Sequence, residues 1–137
     1  MTTRKILGSL VVLLTVLFLF QVSPGISADH IVTNIVLTPD TPNIAAFDQH
    51  VTVGFDYSTT NDGDVAIDVT PYTSNGPVFA FTSPGGAVLA PDADSGSTWF
   101  SIPKKATITK IRIRMTQANP PNELLFKAFI PVNYQVK

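Results

Sequence analysis

Val51-Thr52-Val53-Gly54-Phe55-Asp56-Tyr57 alternates large apolar residues with small or polar ones. Successive side chains of an extended strand point to opposite faces, so Val51, Val53, Phe55 and Tyr57 line one face and Thr52, Gly54 and Asp56 the other. One face meets a core and the other meets water. Thr60-Asn61-Asp62-Gly63-Asp64 follows, rich in residues that make tight turns and tolerate positive φ. Val65, Ile67 and Val69 then resume the two-residue period before Pro71. The two segments predict a β-hairpin.

The same reading extends along the chain in both directions. Residues 30–37 predict a first strand, closed by Thr38-Pro39-Asp40-Thr41-Pro42. Residues 78–82, carrying Phe79 and Phe81, predict a short strand after the turn Ser74-Asn75-Gly76-Pro77, and residues 83–95 predict a long loop. Residues 97–102 carry Trp99, and residues 106–116 set Thr107, Thr109, Ile111, Ile113 and Met115 against Ile108, Lys110, Arg112 and Arg114, the latter expected to face solvent. Residues 124–136 predict a last strand, bent at Pro131 and therefore expected at an edge. No stretch has a helical period.

Seven strands at this spacing predict an all-β fold, a seven-stranded antiparallel Greek-key sandwich, with a small closed barrel as the alternative. The pattern resembles the immunoglobulin-like and fibronectin-type-III-like sandwiches of exported proteins over residues 29–137. It departs from antibody domains in lacking the paired cysteines and in placing Trp99 on the fifth strand. Such folds host many functions, so the resemblance implies a binding or structural role and nothing narrower.

Residues 1–28 read as an address. Arg4 and Lys5 precede an apolar run, Pro24 and Gly25 break it, and Ser27 and Ala28 are small, which is the layout of a cleavable secretory signal peptide. A retained anchor is the alternative, although the apolar run is shorter than the roughly 20 residues of a membrane span. Without that leader the single domain 29–137 carries seven basic and ten acidic residues and no cysteine. A secreted or periplasmic location follows, with no stable membrane span after cleavage. The mild acidity argues against nucleic acid. The two histidines, His30 and His50, lie outside any catalytic motif, which argues against an enzyme.

The acidic loops are the first candidate site. In an immunoglobulin-like order the loops after the second, fourth and sixth strands share one end, gathering Asp62, Asp64, Asp92, Asp94 and Glu123 with the amides of Asn61, Asn119 and Asn122. Hard oxygen ligands of this kind suit Ca²⁺, although Asp92-Ala93-Asp94-Ser95-Gly96 lacks the full spacing of a calcium loop; ordinary turn chemistry also explains these residues. Trp99 and Phe100 are neighbours and point to opposite faces, so one of them is expected at the surface as a contact for a glycan or protein. The alternative is packing against loop 83–95. Two cleavage frames compete, after Ala28 and after Ser27, and the second would leave Ala28-Asp29-His30, whose amine, amides and imidazole could surround copper in a square plane; in this one respect the chain is similar to exported copper carriers. The loops match neither recognition segment of the immunoglobulin-like inhibitors of cysteine proteases. The expectation is an exported, non-enzymatic binding module acting through the loop end on a protein or glycan. Assembly through exposed edge strands and a calcium-stabilised carbohydrate-binding module are the alternatives.

Overall fold

The computed structural model describes residues 29–137; the signal-peptide reading and both cleavage frames lie outside them. Among the described residues there is no helix, and none is long and apolar enough to cross a membrane. The strands are β1 (His30–Thr38), β2 (Asn43–Ala45), β3 (Val51–Thr59), β4 (Val65–Thr73), β5 (Gly76–Pro77), β6 (Ala87–Leu89), β7 (Asp92–Phe100), β8 (Ala106–Gln117) and β9 (Leu124–Val136). They form two sheets, one ordered β1-β3-β7 and the other β2-β9-β8-β4-β5, with β6 also paired to β4.

The all-β expectation holds, and the strand inventory is corrected in three places. Residues 78–82 are not a strand: Val78 donates to the Pro71 carbonyl, then the chain leaves that sheet and makes only an isolated bridge, Thr82 to Ser101, just beyond β7. The run is bounded by Pro77 and Pro84, which have no N–H to donate to a ladder. Half of the expected loop 83–95 is sheet instead. Ala87–Leu89 pairs with β4, and Asp92–Phe100 pairs with β3 without interruption from Thr59↔Asp92 to Val51↔Phe100. Asp-Ala-Asp-Ser-Gly is a poor strand former, and nine consecutive pairings to β3 override that preference. Finally, Asn43–Ala45 runs parallel to β9, so that sheet is mixed and not purely antiparallel.

The core lies between the sheets. Val53, Val65, Ile67, Ile111, Ile113, Met115 and Tyr134 are fully buried, and each such aliphatic side chain stabilises the fold by roughly 1.5–3 kcal/mol. The alternation of β3 is as expected: Val51, Val53, Phe55 and Tyr57 all face inward. In β8 the phase changes. Ile108 is fully buried, while Thr107 and Thr109 are exposed. The register with β9 shifts between Ile108↔Tyr134 and Lys110↔Pro131, so two residues of β9 oppose one of β8. A bulge of this kind flips the side chains beyond it, which brings Ile108 to the same face as Ile111. A second irregularity, between Thr33 and Val36 of β1, is accommodated by Asn34 at φ 50, whose amide donates to Asp56 Oδ2 at 2.7 Å.

Candidate functional site

The strand pairings place every acidic candidate at one end. His30 and Asp92 both lie opposite Thr59 at the end of β3, while Leu89 and Gln117 both lie opposite Val65 at the start of β4. The loops 60–64, 90–91 and 118–123 therefore meet at the end where β1 begins. Asp62, Asp64, Asp92, Asp94 and Glu123 are all exposed there, and Asp29 joins them through its carbonyl, which accepts from the Thr60 N–H at 3.0 Å. No Lys or Arg interrupts these loops.

The loops are tied to one another through the backbone. Ala118 N–H donates to Asp64 O at 3.0 Å and Gln117 N–H to Glu123 O at 2.9 Å. The amides expected beside the carboxylates are engaged in the same work. Asn61 Nδ2 donates to Gly63 O, and Asn122 Nδ2 to the carbonyls of Gln117 and Ala118. Among the described residues no three His, Asp or Glu side chains are grouped to hold a metal ion. What the carboxylates share is Tyr57. This buried phenol donates to the Ala90 carbonyl at 2.7 Å, and its pKa is raised by burial first and then by the negative charges of Asp94, Asp64 and Asp92. Three carboxylates thus act on one point beneath the loops.

His30 is drawn into the same end by a bond between its Nδ1 and Thr59 Oγ1 at 2.9 Å. The Trp99–Phe100 pair divides as an extended segment requires. Phe100 is 1% exposed and belongs to the core, which removes it as a contact residue. Trp99 lies on the outer face of the three-stranded sheet and stacks on His50, ring centroids 3.7 Å apart and planes within 9°. Its partner is the segment before β3 rather than loop 83–95.

Two surfaces escape a linear reading. The outer face of the larger sheet carries Tyr72, Lys110, Arg112, Arg114 and Phe129. Arg114 grips Asp68 through two bonds of 2.8 and 3.2 Å, and Lys110 Nζ sits 4.7 Å from the Phe129 ring centre and 5.3 Å from that of Tyr72. At the end opposite the acids, a cleft of about 320 Å³ opens between Thr73, Val78, Phe79, Ile102, Lys104 and Lys105. Phe79, on the segment expected to be a strand, is 97% exposed at its rim. The only signal for it in the sequence is a phenylalanine trapped between two proline turns.

No family model matches the chain, and no curated protein does. Among solved structures one match is the Pseudomonas fluorescens alkylpurine DNA glycosylase AlkC bound to DNA containing an abasic site analog, with 13% identity and a TM-score of 0.40. The match covers 82% of this chain and 32% of that one, so the chain spans about a third of that protein's length. That protein is a DNA-bound enzyme, against the expectations from composition that the chain is not an enzyme and has no nucleic-acid partner, and neither exclusion is kept. The physical weakness of the second is plain in the structure: net acidity says little when Lys110, Arg112, Arg114 and Lys127 share one sheet face. At this similarity the match assigns no activity or ligand to the chain.

Proposed function

We propose that the protein is an exported binding module of immunoglobulin-like connectivity whose acidic loop end receives a cationic partner. The connectivity is supported by the strand order. With β1, β3 and β7 as strands A, B and E, and β4, β8 and β9 as C, F and G, the two sheets carry the immunoglobulin partition without strand D. Strand β2, parallel to β9, is an addition to that pattern. Export rests on the character of residues 1–28.

One observation carries the choice of surface: Asp29, Asp62, Asp64, Asp92, Asp94 and Glu123, six of the ten acidic residues, lie at one end with no basic residue in its loops. A surface of one sign attracts and orients partners of the other. Basic protein segments fit it better than a bound ion, because among the described residues no three His, Asp or Glu side chains are grouped to hold one.

Fluorescence anisotropy with a labelled oligolysine peptide tests this. Binding should weaken as salt shortens the screening length, and replacing Asp62, Asp64 and Asp94 with Asn should lower affinity about tenfold, at a few tenths of a kcal/mol or more per exposed charge. Unchanged affinity in that triple variant would sink the proposal. Melting with and without millimolar Ca²⁺ addresses the metal version, since an ion specific for the folded state must raise the midpoint.

A further inference from the structure

At the end opposite the acidic loops, where Asp40 and Asp48 also lie, one cleft combines lysines with apolar side chains. The cleft is lined by Val78, Phe79, Ile102 and Ala106, with Lys104 and Lys105 on one side and no acid in the lining. Neither lysine makes an ion pair among the described residues. Asp48, exposed, borders it by donating its N–H to Ile102 O at 3.0 Å, and Phe47, half exposed, precedes it in the chain. A phenylalanine that is 97% exposed beside that cleft makes an apolar patch of the kind that marks a contact surface.

The acidic end has matching apolar points. Pro120 and Pro121 are exposed at the tip of loop 118–123, next to Glu123, and Leu124 is 50% exposed behind them. An apolar tip therefore lies beside Glu123 and the Asp62–Asp64 loop at one end, and lysines flank a small apolar cleft at the other.

We infer that the protein associates head to tail, the Pro120–Pro121–Glu123 tip of one copy docking on the Phe79–Lys104–Lys105 cleft of the next. The inference rests on the acidic end being a binding surface and names its partner as a second copy of this chain. Charge complementarity favours this occupant, because both halves of the contact are present on the molecule in equal number. The two patches differ and lie at opposite ends, so each contacting pair keeps one free cleft and one free tip. Such a heterologous contact extends into open chains and does not close into a dimer.

Sedimentation velocity of the purified protein over a wide concentration range tests this. In about 20 mM salt the weight-average sedimentation coefficient should climb with concentration, and in about 300 mM salt it should not, because exposed charges are screened beyond a few ångströms. Lys104→Glu with Lys105→Glu should abolish the climb, and Phe79→Ala should weaken it by about tenfold, as expected of an aromatic anchor. Asp62→Lys with Glu123→Lys should also remain monomeric. Mixed one to one, the two double variants should regain the climb, because the reversed cleft of one and the reversed tip of the other are again opposite in charge. These are exposed positions, and an unchanged melting midpoint certifies each variant as folded. A protein that stays monomeric at every concentration in low salt overturns the inference, as does association untouched by Lys104→Glu with Lys105→Glu. Binding of the monomer to anionic phospholipid vesicles through Phe79 would give the cleft to a lipid surface and equally overturn it. Oligolysine binding remains a separate readout: a monomer that binds the peptide refutes head-to-tail pairing and leaves the acidic end a binding surface.

Discussion

Two buried tyrosines close the two ends of the sandwich, and their surroundings differ. Tyr57 donates to the Ala90 carbonyl under the acidic loops, and Tyr134 donates to the Pro39 carbonyl under the connection from β1 to β2. Each phenol ties a proline-containing turn to the core strand that carries it. Burial raises both pKa values, but Tyr57 also feels Asp94, Asp64 and Asp92, whereas Tyr134 feels Asp40 alone. The same device anchors both ends, and the charge placed around it distinguishes them. One end is a collar of carboxylates, while the other leaves room for lysines and exposed aromatics.

The largest effect should ignore that distinction. Ile111 is fully buried between the sheets, and Ile111→Ala should cost about 2–5 kcal/mol by removing buried surface and leaving a cavity. Denaturant unfolding should register the loss, and hydrogen exchange should accelerate at both ends together. A smaller and local effect separates them. Tyr57→Phe and Tyr134→Phe should each cost about 0.5–1.5 kcal/mol by removing a hydrogen bond, with exchange quickening around residues 89–94 in the first and 39–42 in the second. If either variant loosened both ends equally, the two anchors would not be independent.

Alkaline titration sharpens the contrast further. An unfolded tyrosine ionises near pH 10, and Tyr134 in the fold is pushed up to about 12. The folded state therefore keeps its proton longer. Its contribution is complete below about pH 10 and is lost as pH rises toward the folded value. Melting midpoints should fall across that window, and Tyr134→Phe should flatten the part of the fall that Tyr134 causes. An identical slope in wild type and variant would assign the fall to Tyr57 or to other groups.

How far the residues themselves announce this structure depends on where they sit. The β3–β4 hairpin is legible because its alternation is unbroken and its turn is made of Asn, Asp and Gly. The inward face of β8 is legible from Ile111 to Met115 and misread at Ile108, because a register shift is a property of two strands and leaves no mark in one. The acidic candidates were identifiable as loop residues, and their meeting at one end followed once the strand order was guessed. The cleft at Phe79 was not legible. It needs the segment after Pro77 to leave the sheet and the 102–106 turn to arrive beside it from the other side of the sandwich.

Local chemistry alone determines that this chain makes strands and turns, and that apolar residues at a spacing of two form a layer. Those are consequences of side-chain direction and backbone sterics, which act over a few residues. Only the tertiary structure decides that Asp92–Phe100 is sheet in spite of its composition, that β2 runs parallel to β9, and that most carboxylates gather at one end while Phe79 is exposed at the other. Each depends on pairing between segments distant in the chain, and the free energy of that pairing exceeds the local preferences it overrides.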